Sequence, residues 1–129
     1  MATYAGIAIK TEEGYKTIYC HNDGDPNHML RTLRDNYNSG ELAAKLIELG
    51  NASSIGKKLN PTYNYHCFSC PEPDVSVFYH RDRGDDWEEC EPDYFLLKKD
   101  LFAVYYYVYI FDGESWSAYR DGKKVTIYF

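Results

Sequence analysis

The sequence predicts an α+β fold in which an antiparallel sheet of five to six strands ends in a C-terminal meander and carries two main helices on one face. Three observations lead to this prediction. The 129 residues include 14 Tyr and 6 Phe, and aromatic side chains favour pleated, half-buried surfaces. β-favouring runs lie towards both ends of the chain, and two segments of helical periodicity lie between them. The length corresponds to a single domain over residues 1–129.

The first elements are predicted to be a hairpin and a helix. Residues 3–10 and 15–20 are rich in β-favouring side chains and flank a short turn that contains Gly14, which is typical of a β-hairpin. Asp25 precedes Pro26 and is placed as the N-cap of a helix over about residues 26–37. The apolar side chains of this helix recur at helical spacing: Met29, Leu30, Leu33 and Tyr37.

A second helix is predicted between Asn38 and Gly50. Asn38 is placed as its N-cap, Glu41 three residues later completes a capping box, and Gly50 is placed to end it. The apolar stripe of this helix consists of Leu42, Ala43, Leu46 and Ile47. Residues 51–73 are polar and rich in turn-forming residues, so we expect an irregular segment there.

The last third of the chain is predicted to be a three-stranded antiparallel meander, preceded by a strand at residues 75–79. Its strands are predicted at residues 102–111, Trp116–Arg120 and 125–129, with a tight turn at Asp121-Gly122. Alternation along residues 102–111 places Val108 and Ile110 towards the core and Tyr105, Tyr107 and Tyr109 on the opposite face. Because Tyr hydroxyls need partners or water, we expect these three side chains to form a partly open contact surface. A solvated face that binds nothing is the alternative.

The charge of the chain restricts its partners. The net charge is −6 and the pI is about 5.1, which disfavours direct binding to nucleic acid and permits a partner protein with a basic surface. No apolar run approaches the roughly 20 residues that cross a bilayer, and the N-terminal residues lack the pattern of a signal peptide. We therefore expect no membrane association and an intracellular location. A symmetric oligomer, for example of a structural protein, stays open.

Four cysteines are irregularly spaced, and two of them form a Cys-x-x-Cys pair, Cys67 and Cys70. Two thiolates at this spacing can hold one tetrahedral metal ion, and His66 and Cys90 are the residues that would complete a zinc site. Ordinary reduced cysteines are the favoured alternative, and no cofactor is expected. A redox role is also open, although the pair does not lie between a strand and a helix start as in thioredoxin-like sites.

Two polar segments each follow a β-favouring run, at residues 20–26 and 80–87. Loops held by a stiff element often carry function. If the two loops converge, their charged and imidazole groups would form a site that binds a nucleotide or another phosphorylated ligand, or that performs acid–base chemistry on it as an enzyme. The residues of this alternative site are His21, Asp23, His80, Arg81, Asp82 and Arg83. The competing interpretation is that the arginines and carboxylates pair with each other. No known catalytic motif is present, so no catalytic residue is predicted.

The segment at residues 85–93 carries six carboxylates in nine residues. Such a run is usually a solvated loop, but it can also occupy the cationic groove in which another protein binds nucleic acid. Trp87 would anchor such a contact. The predicted partner-binding residues in this segment are Asp85, Asp86, Trp87, Glu88, Glu89 and Glu91.

Several motifs over about residues 15–90 resemble a family of small phage and prophage proteins. The matching motifs are residues 18–26 (Ile-Tyr-Cys-His-Asn-Asp-Gly-Asp-Pro), residues 36–38, residues 46–50 with 53–56, and residues 79–84 (Tyr-His-Arg-Asp-Arg-Gly) with Trp87. The chain departs from the family pattern at Asn22, where an aromatic residue is typical, and in having Cys67 and Cys70.

The resemblance implies a biological context but no catalytic residues. Small acidic proteins encoded by phages often bind and block a host defence factor, which is an inference by association. The leading hypothesis is therefore a counter-defence inhibitor of the anti-CRISPR type. It would act in the cytoplasm of the host cell and bind a host nuclease or defence complex through its acidic and aromatic surface.

Overall fold

The structure, a computed structural model, describes residues 2–127. Within these residues the chain forms eight β-strands, four α-helices and one π-helical turn at Tyr79–Arg83. The strands are β1 Ala5–Lys10, β2 Tyr15–Cys20, β3 Ala52–Ser54, β4 Val77–Phe78, β5 Asp93–Phe95, β6 Tyr107–Phe111, β7 Trp116–Arg120 and β8 Lys123–Val125. The helices are α1 Pro26–Asn36, α2 Gly40–Glu48, α3 Trp87–Cys90 and α4 Lys98–Val104. The α+β class is confirmed, and none of the described helices is long and apolar enough to cross a membrane.

The sheet is open and mixed, although most of its strand pairs are antiparallel. β1 and β2 form the expected hairpin, with Ala5 opposite Cys20. β6 runs parallel to β1, with Gly6 opposite Val108, and β3 runs parallel to β2. The strand order is β4-β3-β2-β1-β6-β7-β8, and β5 also pairs with β2. The predicted sheet of five to six antiparallel strands is therefore too small and lacks the parallel pairs, because local periodicity does not encode which distant strands meet.

The two central helices form where the apolar periodicity predicts them, but their caps differ. Asp25 occupies the N-cap position of α1 without a hydrogen bond from its side chain to the helix. α2 is capped by Ser39, whose hydroxyl accepts the backbone N–H of Leu42 at 3.1 Å. The predicted cap at Asn38 is therefore wrong by one residue, since the capping oxygen must reach an amide of the first helical turn.

The segment predicted as one strand at residues 102–111 is divided between a helix and a strand. α4 ends at Val104, and β6 begins only at Tyr107. Leu101 is fully buried, and its carbonyl accepts the N–H of Tyr105 at 3.1 Å at the end of α4. The predicted strand over residues 102–106 is therefore wrong, because packing of Leu101 against the sheet outweighs the β propensity of its neighbours.

Both faces of the sheet are covered. α1 and α2 pack on the same face, as expected, and its buried sheet residues include Ile7, Ile18, Tyr109, Phe111 and Trp116. α4 covers part of the opposite face, where the buried cluster consists of Ala8, Tyr15, Leu101, Tyr105, Val108 and Ile110. The side that carries Tyr109 is therefore the main core face, and the prediction that it is open is wrong.

The remaining strands differ from the prediction in their presence or their bounds. β3 lies inside the segment expected to be irregular, and β4 stops before Tyr79 because the π-helical turn begins there. β6, β7 and β8 form the predicted antiparallel meander, and the positive φ angles of Asp121 (52°) and Gly122 (78°) fit a tight hairpin turn. β8 ends at Val125, so the strand predicted at 125–129 begins earlier. Tyr128 and Phe129 lie outside the described residues.

Candidate functional site

The acidic segment, residues 85–93, forms the short helix α3 with extended residues on both sides. Asp86 precedes the helix and does not cap it through its side chain. Asp86, Glu88, Glu89 and Glu91 are exposed, and none of these four side chains has a hydrogen bond or ion pair to a residue among 2–127. Trp87 is 38% exposed. These four carboxylates are therefore solvent-exposed, and their binding to a partner stays a prediction.

Buried contacts at Cys90 attach the acidic segment to the rest of the protein. The carbonyl of Cys90 accepts the N–H of Asn51 at 2.8 Å, and Cys90 itself is buried. Burial raises the pKa of the Cys90 thiol, with the nearby carboxylates adding to the effect. Gly50 has a φ of 82°, and a Cβ there would collide with the Cys90 carbonyl and lie tightly against the Trp87 ring at 3.0 Å. A rigid contact thus fixes α3 against the end of α2.

Asp85 differs from the other carboxylates of the acidic segment because it is paired within the chain. Arg83 donates from Nε and Nη2 to its two oxygens at 2.8 and 2.6 Å. This pairing holds the pKa of Asp85 below its usual range. The Arg83 guanidinium also lies against the rings of Phe68 and Tyr79, 4.8 and 4.4 Å from their centres. The predicted role of Asp85 as a free contact is therefore corrected to an internal ion pair.

An exposed apolar strip follows the acidic segment directly: Tyr94, Leu96 and Leu97. Their exposed fractions are 62%, 75% and 52%, which is high for side chains of this size, and neighbouring exposed apolar groups mark contact surfaces. Sequence reasoning missed this strip. The available signal was the pair of consecutive leucines, Leu96 and Leu97, beside a dense run of charged residues.

The tyrosines predicted to share the contact surface lie largely in the interior. Tyr109 is fully buried, and its hydroxyl donates to the carbonyl of Gly24 at 2.5 Å. Tyr105 is 8% exposed and packs against Gly6 from the opposite face. Burial raises the pKa of the Tyr105 phenol to about 12. Tyr107 is half-buried. Tyr105 and Tyr109 are therefore removed from the predicted binding surface, because α4 and the two central helices cover them.

The second polar loop is neutralised by its own residues. Arg81 donates from Nε and Nη2 to the two oxygens of Asp82 at 2.9 and 3.0 Å, and to the carbonyls of Leu59 and Ser76, both at 2.8 Å. Asp82 also accepts the N–H of Phe78 at 2.7 Å. Burial raises the pKa of Asp82, but the bonds from Arg81 and Phe78 outweigh it and leave that pKa below its usual range. The arginine–carboxylate pairing considered as the alternative is what the structure contains.

The two polar loops leave neighbouring strands, since Ala52 pairs with both Cys20 and Phe78, but they do not assemble one site. The chain leaves β2 at His21 and leaves β4 at Tyr79 in opposite directions, because β3 is parallel to β2 and antiparallel to β4. His21 Nδ1 pairs with the hydroxyl of Tyr19 at 2.5 Å, and His80 Nδ1 pairs with the carbonyl of Asp85 at 2.7 Å. No hydrogen bond, ion pair or ring contact in the described residues joins His21 or Asp23 to the loop of His80.

The four candidate zinc ligands are not assembled. His66 Nδ1 accepts the N–H of Glu72 at 2.9 Å, and its Nε2 faces Asp82 Oδ1 at 3.3 Å. Cys90 is buried at the base of α3, whereas Cys70 is exposed. Among residues 2–127, no group of three or more His, Cys, Asp or Glu side chains is placed to hold a metal ion. The sequence-based zinc set is therefore not supported.

A surface hollow of about 480 Å³ lies elsewhere, along α1. Sequence reasoning did not identify it. Its charged lining consists of Asp25, His28, Arg31, Asp35, Lys57 and Asp74. Because carboxylates and cationic groups alternate around it, the hollow favours no single class of charged ligand.

Comparison with family models, with curated proteins and with solved structures gave no match for this chain.

Proposed function

We propose that the protein is a binding protein whose acidic segment and exposed apolar strip occupy a basic surface of another protein. One observation carries this proposal: Asp86, Glu88, Glu89 and Glu91 are exposed and unpaired within residues 2–127. Like charges crowded on adjacent residues repel one another, and a cationic partner relieves that repulsion. Complementary charge also steers encounter and excludes wrong partners.

The apolar side chains next to the carboxylates would supply the desolvated centre of the proposed interface. Stable interfaces combine a desolvated apolar centre with a polar rim, and Trp is one of the residue types enriched among those that dominate binding energy. Trp87 lies within the acidic segment, and Leu96 and Leu97 follow it at 75% and 52% exposure. In our proposal these side chains form the centre of the contact and the carboxylates form its rim.

The resemblance to small phage and prophage proteins supports a specific kind of partner. We propose a host nuclease or defence complex, with the protein acting as a counter-defence inhibitor of the anti-CRISPR type in the host cytoplasm. A nuclease must present cationic groups where phosphates bind. The carboxylates of α3 would occupy those groups and block nucleic-acid entry, which requires no catalytic residue in the inhibitor.

The charge element of the proposal is tested with two variants of equal net charge. Glu88→Gln, Glu89→Gln and Glu91→Gln remove three carboxylates from the acidic segment, and Asp35→Asn, Glu48→Gln and Glu114→Gln remove three exposed carboxylates from other parts of the surface. Each is titrated against a panel of purified host defence nucleases by calorimetry and by inhibition of DNA cleavage. We expect the first variant to bind at least tenfold more weakly than the control variant and to show a smaller salt dependence. Equal binding of the two variants would refute the role of the acidic segment.

The apolar element is tested with Leu96→Ser combined with Leu97→Ser. Leu97 occupies the N-cap of α4, where serine is a favourable residue, so the variant retains its helix. We expect a loss of affinity with an unchanged salt dependence, because no charge is altered. Full affinity in this variant would restrict the interface to α3.

A further inference from the structure

A surface turn places Cys67 and Cys70 opposite each other as a backbone-paired couple. The N–H of Cys67 donates to the carbonyl of Cys70 at 3.3 Å, and the N–H of Cys70 donates back to the carbonyl of Cys67 at 3.2 Å. Residues that exchange both bonds in this way have Cα atoms about 5.5 Å apart, which lies within the range that a disulfide spans. Cys67 is half-buried and Cys70 is exposed, so both are accessible to a small reagent.

We infer that Cys67 and Cys70 form a redox-active dithiol, which closes to an intrachain disulfide by exchange with a low-molecular-weight disulfide such as glutathione disulfide. This inference is independent of the proposed function. It assigns a chemical role to the one sequence motif that the acidic segment and the two polar loops leave unexplained.

The neighbouring side chain of Ser69 favours reaction at Cys67. The Cys67 sulfur and the Ser69 hydroxyl lie 3.4 Å apart, and this hydrogen bond is the main cause that lowers the pKa of the Cys67 thiol from its ordinary value. Thiolates, not thiols, attack disulfides. Cys67 is therefore the attacking group and Cys70 the resolving group.

The thiol–disulfide exchange with glutathione disulfide proceeds in two steps. The Cys67 thiolate attacks one sulfur of glutathione disulfide, forms a mixed disulfide and releases one glutathione thiolate. Cys70 then attacks the Cys67 sulfur of the mixed disulfide, and the second glutathione leaves. Cys67 and Cys70 lose two protons and two electrons, and glutathione disulfide takes up both as two glutathione thiols.

The turn is held in place before the reaction. The N–H of Phe68 donates to the backbone carbonyl of Asp82 at 2.9 Å, and the Phe68 ring lies 4.8 Å from the Arg83 guanidinium. Fixing the turn in this way lowers the conformational entropy lost when the ring closes. Oxidation therefore joins two residues whose backbones the reduced protein already holds opposite each other.

The other two cysteines provide controls inside the same chain. Cys20 is fully buried, and burial raises the pKa of its thiol to about 12. Cys90 is 3% exposed, and burial raises its pKa as well. Both should stay reduced in the folded protein under conditions that oxidise the dithiol.

The test equilibrates the folded, full-length protein with graded mixtures of reduced and oxidised glutathione in the presence of a metal chelator. The samples are quenched with acid, alkylated under denaturing conditions and mapped by mass spectrometry. We expect Cys67 and Cys70 to lose their free thiols together and to appear in one peptide lighter by two hydrogens, while Cys20 and Cys90 remain alkylated. Independent oxidation of the two sites, stable glutathione adducts in the wild-type protein or disulfide-linked dimers would overturn the inference.

Two variants separate the roles of the residues. Cys70→Ser removes the resolving thiol, so glutathione should accumulate as a mixed disulfide on Cys67. Ser69→Ala removes the hydroxyl beside the Cys67 sulfur, and the alkylation rate of Cys67 should then rise at a higher pH than in the wild type. An unchanged pH profile would show that Ser69 does not position or activate Cys67. Circular dichroism checks that each variant is folded, which we expect because Ser69 and Cys70 are exposed.

Discussion

Asp82 and Asp85 lie three residues apart, and each forms a two-point pair with an arginine in the same segment. The Asp82 side chain is 4% exposed, whereas the Asp85 side chain is 23% exposed and its partner Arg83 is 46% exposed. Replacement by Asn keeps the shape of each side chain and changes net charge equally. The two substitutions therefore compare a buried pair with a solvated pair within one structural context.

We expect Asp82→Asn to destabilise the protein by about 2–3 kcal/mol. Hydrogen bonds to a charged group contribute about 1.5–3 kcal/mol, and leaving a buried ionic partner unpaired costs about 3–5 kcal/mol. The lower part of these ranges applies because the Arg81 side chain is 22% exposed and regains some hydration. For a domain of this length, such a loss lowers the melting temperature by roughly 10 °C.

The assay is urea unfolding at neutral pH, followed by circular dichroism and tryptophan fluorescence, with thermal melting as a second measure. Asp85→Asn is the control, and we expect little change in its unfolding midpoint because water replaces the lost contacts of Arg83. If both variants lose the same stability, or if Asp82→Asn melts with the wild type, burial does not set the strength of these pairs and our reasoning fails.

Three further predictions concern the core and its acid stability. Tyr109→Phe should reduce the free energy of unfolding in urea by about 1–3 kcal/mol, because the Gly24 carbonyl loses its buried donor at 2.5 Å; no loss would mean that water replaces the hydroxyl. Gly6→Ala should also cost about 1–3 kcal/mol, since a Cβ would lie 2.5 Å from the Tyr105 ring, whereas Gly40→Ala, whose Cβ meets no atom within 4 Å, should cost nothing. The pKa of Asp82 lies below its ordinary value of 3.8, so its contribution is fully present above about pH 4 and is lost as the pH falls through the lower folded value. The stability difference between wild type and Asp82→Asn should accordingly shrink in acid, and a constant difference down to acid unfolding would contradict the lowered pKa.

Local patterns in the sequence predicted the elements whose stabilisation is local. The hairpin of β1 and β2 and the helices α1 and α2 lie where alternation and helical spacing place them, because burial of one face follows directly from those periods. The turn at Asp121 and Gly122 follows from residues that tolerate positive φ.

Long-range contacts decided the features that sequence reasoning missed. Leu101 belongs to a helix because it fills the second face of the sheet together with Ala8 and Tyr15, although its own segment has high β propensity. Tyr109 is buried because β6 lies beside β1, under the helices. In both cases the deciding contacts join segments roughly 90–100 residues apart, and a short window of sequence does not contain both partners.

In the candidate site as well, the pairing of charged groups depends on the folded structure and not on local composition. Residues 80–93 contain the cations Arg81 and Arg83 together with a dense run of carboxylates, and composition alone does not say which groups neutralise each other. Arg81 pairs with Asp82 and Arg83 pairs with Asp85. Each arginine is therefore neutralised by the first carboxylate that follows it in the sequence. The acid groups of α3 are then left without a cation from their own segment. The unpaired carboxylates at α3 thus result from the pairing of the two arginines, and this separation of charge, more than the total of −6, is what the proposed binding surface requires.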